Sequence, residues 1–531
     1  MPYNLIEQQW IPIRRADGTC ERIAPWQITD CHADEQRRIV ALAAPRPDFN
    51  GALIQFLIGL VQTTMPPHTN EEWRACLKTP PNAATLRAAF QTVAHAFNLD
   101  GDGPRFMQDF DLRESTENAT PISALLMDAP GEQTEKFNKD FFVKRGFADS
   151  FCYSCSANAL FTLQTNVPSG GQGHRTSLRG GGPLSTILLG QTPWETVLMN
   201  VVCKNEFDAM SGNPSLAADD ARFPWLAETR TSQKNGGVET TPLHGHPTQM
   251  YWAMPRRIRL NTITSTQGIC QLCGHQGDLC NGYLAQNYGV NYTGAWQHPL
   301  SPYGRNTQSE PFALHPKQGG ITYRHWVANV YGDQATKVSP AAVFNAFRKR
   351  FACPPHLRVF CFGYEMDNMK AISWCETIQP YFELEESARA AFTARVAKLR
   401  DAAVEVHGHL LTAFKKALLY PKQEAKGGSI FHALSAEFWH TTEAAFYACV
   451  NDLKDVSEPQ AVNERWLKTL QQAALDLFDG RVNTSQFETM DIKRAVLARN
   501  DLRRNINSKK LREKILQLPP VTSHKKRRID E

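Results

Sequence analysis

The sequence has no apolar run long enough to cross a membrane. Its longest apolar stretch, residues 51–61, is interrupted by Gln55, whereas a transmembrane helix needs about 20 mainly apolar residues. The beginning, MPYNLIEQQW, also lacks the basic and apolar segments of an export signal. We therefore expect a cytoplasmic protein without membrane contact, in which residues 51–61 belong to a buried helix.

The sequence also lacks the short motifs of common enzyme classes. It contains no His-Glu-x-x-His, no Gly-x-Ser-x-Gly, no phosphate-binding P-loop and no His-Asp pair of a metal phosphohydrolase. Its 16 histidines are scattered along the chain, and nothing in the sequence indicates an acid/base pair. These absences predict a protein that is not an enzyme.

The chain has no large excess of positive or negative charge, but its charged residues are unevenly distributed along the sequence. The net charge is only +5, yet residues 493–528 hold thirteen lysines and arginines against Asp501 and Glu513. A mildly acidic body therefore carries a basic end, which weakly indicates a polyanionic partner. The alternative is a solvated basic tail with no partner.

Composition and apolar spacing predict an α+β fold. With 531 residues, 42% of them hydrophobic, we expect two to four domains with ordinary cores. Residues 1–380 are irregular and rich in loops, which indicates a large mixed α/β domain. Residues 381–520 contain four amphipathic segments, which predict an antiparallel four-helix bundle. Residues 521–531 are expected to form a basic disordered tail.

Capping residues and helix breakers predict the helix boundaries. Asp48 is the expected N-cap of a helix over 49–61, and a second helix is expected over 84–97. In the bundle, the helices are expected over 392–418, 430–453, 464–478 and 484–505. The third is expected to end at Gly480. The first carries an apolar stripe spaced by threes and fours: Phe392, Val396, Leu399, Ala403, Val406, Leu410, Phe414 and Leu418.

Two Cys-x-x-Cys pairs predict a structural zinc site. The pairs are Cys152 with Cys155 and Cys270 with Cys273, and Gly274 follows the second as in a zinc knuckle. Thirteen cysteines in a chain of this length do not indicate a disulfide framework. Four thiolates would leave no open coordination position, so such a zinc is not catalytic. The alternatives are two unrelated thiol pairs, or Cys280 replacing one ligand.

Two further segments are candidates for ligand contact. The glycine-rich loop Ser169, Gly170, Gly171, Gln172, Gly173 is followed by Arg175, Arg179 and three glycines at 180–182. Glycines allow close backbone approach, and the two arginines could bind phosphate; a flexible surface loop is the alternative. The second segment is Asn368, Met369 and Lys370, which follows a strand-like run and could insert between bases or form a plain turn.

Taken in order, these segments resemble the large subunit (CasA) of the type I-E CRISPR surveillance complex, Cascade. The resemblance covers essentially the whole chain. It rests on Trp10-Ile-Pro, Phe106-Met-Gln, the two cysteine pairs, Ser177-Leu-Arg-Gly-Gly, Trp296-x-His-Pro-x-Ser-Pro, Gly363-Tyr and the predicted bundle. No single segment is sufficient for this resemblance, but the order of the segments and the length of the chain together are specific.

The resemblance implies a non-catalytic function. Subunits of this family recognise the protospacer-adjacent motif (PAM) in double-stranded DNA, begin duplex opening for guide RNA pairing, and help recruit a helicase-nuclease. The implied partners are the other Cascade subunits, the 5′ end of the guide RNA and target DNA. In this family, two Cys-x-x-Cys pairs also meet on one structural zinc.

The resemblance also assigns roles to residues. The family's glycine loop at the minor groove matches residues 169–173, and its minor-groove lysine falls at about Asn287, a departure. Its Asn-Gln wedge matches Asn368 and Met369, a second departure, followed by Lys370. A loop that contacts the guide RNA and a neighbouring subunit matches Phe142, Val143 and Lys144. The second hypothesis for the function is a stand-alone zinc-ribbon nucleic-acid enzyme. The third hypothesis is a scaffold without nucleic-acid contact.

Overall fold

The computed structural model describes residues 2–115, 117, 119–129, 148–306, 310–317, 319–350, 356–418, 429–454, 459–484 and 491–520. The chain divides into two compact units. The first comprises Met1–Gln318 and Ala328–Tyr381, and the second comprises Gly319–Val327 and Phe382–Glu531. The predicted mixed α+β class is confirmed. Among the described residues, no helix is both long and apolar enough to cross a membrane.

The described strands are mostly short and lie in the first unit. They are β1 (Ile11–Arg15), β2 (Cys20–Ile23), β3 (Ile39–Leu42), β4 (Thr120–Pro121), β5 (Phe151–Cys152), β6 (Ser185–Leu189), β7 (Glu239–Thr240), β8 (Arg257–Leu260), β9 (Thr266–Ile269), β10 (Gln276–Cys280), β11 (Gly282–Gln286), β12 (Asn291–Tyr292), β13 (Tyr303–Gly304), β14 (Phe312–Ala313), β15 (Val338–Ser339), β16 (Arg358–Asp367) and β17 (Lys370–Pro380). Two of the small sheets position the candidate site: β5-β10-β9 and β17-β16-β6.

Of the described helices, the three longest lie near the end of the chain. The described helices are α1 (Pro47–Thr64), α2 (Asn70–Lys78), α3 (Ala83–Gln91), α4 (Tyr153–Asn166), α5 (Pro193–Met199), α6 (Lys204–Asp208), α7 (Trp326–Tyr331), α8 (Ala342–Arg348), α9 (Glu386–Leu418), α10 (Ser429–Asp452), α11 (Gln460–Thr484) and α12 (Ile492–Ile506).

Helix α1 forms the centre of the first unit because it is apolar on nearly every side. Its Phe56 is 1% exposed and makes edge-to-face contacts with five aromatic side chains: Trp10, Phe97, Phe106, Phe161 and Trp252. Such pairs add to the stabilisation from burying apolar area. The predicted buried helix over 51–61 is therefore confirmed, and it is the element around which the unit packs.

The second unit contains α9, α10, α11 and α12, which contact one another. Helices α9 and α10 run in opposite directions. His407 of α9 bonds Ser435 of α10 at 2.9 Å, while Phe414, further along α9, meets Phe431, which lies earlier in α10. The predicted stripe of α9 is confirmed from Phe392 to Phe414, where all seven residues are buried; Leu418 is half-buried.

Several predicted boundaries were wrong. Asp48 lies in the first turn of α1 and accepts a hydrogen bond from the Tyr364 hydroxyl at 2.5 Å, while Arg46 is the N-cap. Helix α11 continues through Gly480 to Thr484, because helix packing outweighs the modest cost of one internal glycine. Helix α12 begins after Asp491, whose side chain accepts from the Arg494 amide.

Candidate functional site

The two cysteine pairs meet at one end of the sheet β5-β10-β9. Cys152 ends β5, and Cys155 lies in the first turn of α4. Cys270 follows β9, and Cys273 precedes β10. Because β10 pairs with β5 on one side and β9 on the other, the sheet brings the pairs together although 114 residues separate them along the chain.

The four sulfurs form a compact cluster whose geometry fits a metal ion. All four Sγ atoms lie within 4.8 Å of one another, and those of Cys152 and Cys273 are 3.6 Å apart. Sulfurs bound to one tetrahedral zinc at ~2.3 Å would lie about 3.8 Å apart. Gly274 turns the chain back with φ +71°, a conformation that favours glycine. The cluster could therefore hold a metal through sulfur ligands alone.

Electrostatics around the cluster favour thiolates on the second pair. Hydrogen bonds from the thiols of Cys152 and Cys155 lower the pKa of the Cys273 thiol to about 6. Arg22, on β2, directs Nη2 at the sulfur of Cys273 from 3.1 Å and at that of Cys152 from 3.8 Å. The sequence gives no indication of this contact, since no spacing links Arg22 to either cysteine pair.

Cys280, the expected spare ligand, lies outside the cluster. It ends β10, is fully buried, and directs its thiol to the carbonyl oxygens of Asn261 and Gly282 at 3.4 and 3.3 Å. Burial raises the pKa of this thiol to about 11. Cys280 is therefore a neutral core residue.

The glycine loop 169–173 follows α4 and is partly exposed. Gly171 and Gly173 have φ values of +68° and +75°. Two bonds to Tyr288 hold the loop: the Tyr288 amide donates to the Gly173 carbonyl at 2.8 Å, and Gln172 Nε2 donates to the Tyr288 hydroxyl at 2.7 Å. No sequence motif indicates this role for Tyr288.

Gly170 differs from the other glycines of the loop. Its φ lies outside the left-handed region, and an added Cβ would meet nothing closer than Met369, at 4.0 Å. Neither backbone conformation nor internal crowding therefore requires glycine at this position. A glycine with open space before it allows a bound molecule to approach the backbone closely.

Asn368 and Met369 form the two-residue turn between β16 and β17. The last strand pair is Asp367 with Lys370, and Asn368 has φ +53°, a conformation that asparagine tolerates better than most residues. Met369 is 55% exposed. The two strands, 10 and 11 residues long, present this apolar side chain at the end of a hairpin.

These segments meet on one exposed surface. The position of a Cβ on Gly170 lies 4.0 Å from the Met369 Sδ, and that of a Cβ on Gly173 lies 3.0 Å from the Asn287 Cβ. Asn287 itself is exposed and directly follows β11. We call the combination of residues 169–173, Asn287 and 368–370 the loop-hairpin surface.

Arg179 and the glycines 180–182 have internal roles, contrary to the expectation for Arg179. Its guanidinium is buried and donates to Gln55, Ser185 and Ser301, so it is not available to phosphate. Added Cβ atoms at Gly181 and Gly182 would lie 2.7 Å from Pro168 and 2.5 Å from the Tyr364 carbonyl. These glycines let the base of the loop pack against β16.

The remaining predicted residues are Arg175 and the three residues expected to contact the guide RNA. The Arg175 guanidinium donates to the hydroxyl and carbonyl of Ser232 at 2.7 and 3.0 Å, which fixes it to the neighbouring chain segment. Phe142, Val143 and Lys144 lie outside the described residues, so their assignment stays a prediction.

Ion pairs within its own unit neutralise part of the basic stretch near the end of the chain. Arg499, Arg504, Lys510 and Arg512 pair with acidic residues, namely Asp479, Asp501, Glu405 and Glu464. The exposed charge of α12 is therefore smaller than the sequence count indicates. Residues 525–528 lie outside the described residues.

Comparisons with known proteins agree with this architecture. A family model described as CRISPR-associated protein Cse1 matches residues 4–477. The structure of Thermus thermophilus CasA (Cse1) is similar with a TM-score of 0.67 at 18% identity, covering 95% of this chain and 99% of that chain. Thermobifida fusca Cse1 gives 0.66 at 16% identity, covering 96% and 98%.

A third similar structure is that of a chain in a CRISPR RNA-guided surveillance complex. Its TM-score is 0.65 at 15% identity, and the match covers 96% of this chain and all of that chain. At these identities, the solved structures show a shared fold.

Proposed function

The chain belongs to the CRISPR-associated Cse1 family, and we propose that it is the Cascade subunit that recognises the PAM in double-stranded DNA and begins duplex opening. The observation that carries the proposal is the loop-hairpin surface. A backbone-accessible glycine, an exposed apolar tip and two polar side chains lie together on one face of the first unit.

The glycine loop supplies the minor-groove contact. The minor groove of B-DNA is only about 6 Å wide, so a backbone without a side chain reaches its floor most easily. Gly170 fits this role because nothing inside the chain accounts for the missing Cβ. Readout in this groove distinguishes mainly A·T from G·C, and Asn287 at the side of the loop contributes a neutral amide to it.

Met369 acts as the wedge. Apolar side chains are the usual groups that proteins insert between base steps, at an unstacking cost of about a few kcal/mol. A hairpin tip is suited to this because its strand pairing resists the opposing force. Lys370, exposed as the first residue of β17, supplies a cation for the displaced backbone phosphates.

The remaining roles follow from family membership and the expected partners. The cysteine cluster binds one structural zinc, which supplies a cross-link between β5 and the turn before β10. Phe142, Val143 and Lys144 contact the 5′ end of the guide RNA and another Cascade subunit. The four helices within residues 381–520 act as one antiparallel bundle, and the subunit helps recruit the helicase-nuclease without a catalytic site of its own.

The proposal is tested by reconstitution. The purified chain is assembled with guide RNA and the other Cascade subunits, and its binding to matched duplexes with and without a PAM is compared. We expect target binding to require this chain and to fall at least tenfold without a PAM. Full target binding by the complex without this chain, or nuclease activity of the chain alone with divalent metals, contradicts the proposal.

A further inference from the structure

A small internal cavity lies in the first unit below the base of the glycine loop. Its volume is about 10 Å³, which accommodates about one water-sized species. Arg179, Tyr251 and His298 line it, and each is at most 7% exposed. The lining residues include a guanidinium and no carboxylate.

Arg179 is a buried cation without a counter-ion among the described residues. Its guanidinium donates to three neutral oxygens: Gln55 Oε1 at 2.5 Å, Ser185 Oγ at 2.9 Å and Ser301 Oγ at 3.1 Å. Burial lowers the pKa of Arg179 to about 10, so the group remains protonated at neutral pH. A buried charge is costly unless an opposite charge compensates it.

Two further side chains that line the cavity, Tyr251 and His298, have hydrogen-bond donors for a species inside it. The Tyr251 hydroxyl is buried and has no hydrogen-bond partner in the described part of the chain. His298 Nδ1 accepts from the Leu300 amide at 3.2 Å, and burial holds the pKa of this histidine well below its usual range. In the neutral ring the proton therefore lies on Nε2.

We propose that this cavity binds a single chloride ion, held by the Arg179 guanidinium, the Tyr251 hydroxyl and the His298 Nε2–H. A monoatomic anion compensates the buried charge and accepts from the unpartnered hydroxyl. A water molecule would leave the charge uncompensated, and phosphate or sulfate is too large for the volume.

The location gives the ion a structural role. Ser177 also lines the cavity, and its amide donates to the Val167 carbonyl at 2.9 Å, which closes the base of the loop. The ion would therefore stabilise the segment from which the exposed glycines project. This inference stands independently of the DNA-binding role.

Bromide substitution tests the site directly. Crystals of the full chain grown in sodium bromide should give an anomalous difference peak between Arg179 and Tyr251 at the bromine absorption edge. An ordered water without anomalous signal at this position overturns the proposal.

A solution measurement provides a second readout. At constant ionic strength, replacing gluconate by chloride should raise the Tm of the wild-type chain by roughly 1–3 °C for each tenfold increase in chloride above the Kd. Tyr251→Phe should lose most of this dependence. Tyr283→Phe, which removes a buried hydroxyl that does not line the cavity, should retain it. An equal chloride dependence in Tyr251→Phe and the wild type contradicts the assignment, and if that variant does not fold, the bromide experiment decides.

Discussion

The guanidinium of Arg22 contacts the sulfur of Cys273, with Nη2 at 3.1 Å. The same nitrogen lies 3.8 Å from the sulfur of Cys152, so one cation faces both cysteine pairs. Four thiolates on a divalent ion carry a net charge of about −2. Burial alone would disfavour the Arg22 charge, yet the sulfurs outweigh it and raise the pKa of the guanidinium.

Arg22→Met should therefore weaken zinc retention without removing a ligand. Groups that contact metal ligands typically contribute 10–100-fold to metal affinity, and we expect zinc transfer to a chelator to accelerate about tenfold. Arg22→Lys should recover part of the effect. Arg14→Met, which removes an exposed arginine from the neighbouring strand β1, is the control. Equal transfer rates in all variants would mean that Arg22 does not act on the metal.

Cys152→Ser should abolish stoichiometric zinc binding and destabilise the first unit. Loss of a structural metal is among the few changes that cost more than about 4 kcal/mol. Elemental analysis should fall from about one zinc per chain to below half, together with a lower Tm. Cys280→Ser should keep its zinc, because Cys280 lies outside the cluster. Less than half an equivalent of zinc in the unstripped wild type contradicts the metal assignment.

Gly170→Asp should abolish PAM-dependent binding in the assembled complex. The aspartate fits the fold, since an added Cβ has 4.0 Å of clearance, but it brings bulk and negative charge to the groove. We expect at least a tenfold loss of affinity for PAM-containing duplex. Gly103→Asp, at an exposed glycine with open surroundings, is the matched control. Gly171→Asp should have the same effect with added backbone strain, because φ there is +68°. Unchanged target binding with normal guide loading would remove this loop from the DNA interface.

Met369→Ala should slow duplex opening more than it weakens initial PAM association. Losing the group that fills the opened base step should slow opening about tenfold, equivalent to about 1.4 kcal/mol. A fluorescent base analogue next to the PAM reports opening in stopped-flow experiments. Ile378→Ala removes a similarly exposed apolar side chain at the far end of β17 and should open DNA at the wild-type rate. Equal rates in both variants would contradict the wedge role.

The residual positive charge of α12 should contribute to nucleic-acid affinity. Lys493 and Arg503 make no ion pair with any described residue, whereas Arg499 pairs with Asp479 at 2.6 Å. Replacing Lys493 and Arg503 with alanine should reduce the salt dependence of binding by up to about one unit of slope per contact. Arg499→Ala should leave that slope unchanged and lower stability slightly. The same slope in every variant, measured by fluorescence polarisation, would mean that this face makes no phosphate contacts.

Sequence patterns predicted the elements that depend on local spacing. The stripe of α9 was found from its helical periodicity and the buried run of α1 from its continuous apolar residues, both of which can be read without the rest of the chain. The cysteine pairs were recognised as metal-type pairs for the same reason. The meeting of loop 169–173 with the tip at Met369 was expected only from the family resemblance, since 195 residues separate Gly173 from Met369.

Other features depend on distant packing and could not be read from spacing. Arg179 was expected to offer its charge to phosphate, yet neutral oxygens from three separate segments surround it. Arg22 and Tyr288 were missed because their partners lie 251 and 116 residues away. The segment Gly319–Val327 belongs to the second, helical unit although it lies between two parts of the first unit in the sequence. No change in composition marks its two boundaries.

The arrangement of the cysteines has a consequence for biosynthesis. Among the described strands, β5 pairs only with β10. During synthesis, 114 further residues are added after Cys155 before Cys270 is made, and the four-cysteine cluster cannot form until then. At a synthesis rate of about 5–20 residues per second, the nascent chain carries an unmatched dithiol for roughly ten seconds. During that interval the first pair can bind metal only in part or react with oxidants. The four-cysteine cluster can therefore form only after the hairpin at β9 and β10 has emerged, and under the proposed zinc role we expect the yield of folded chain to depend on zinc supply.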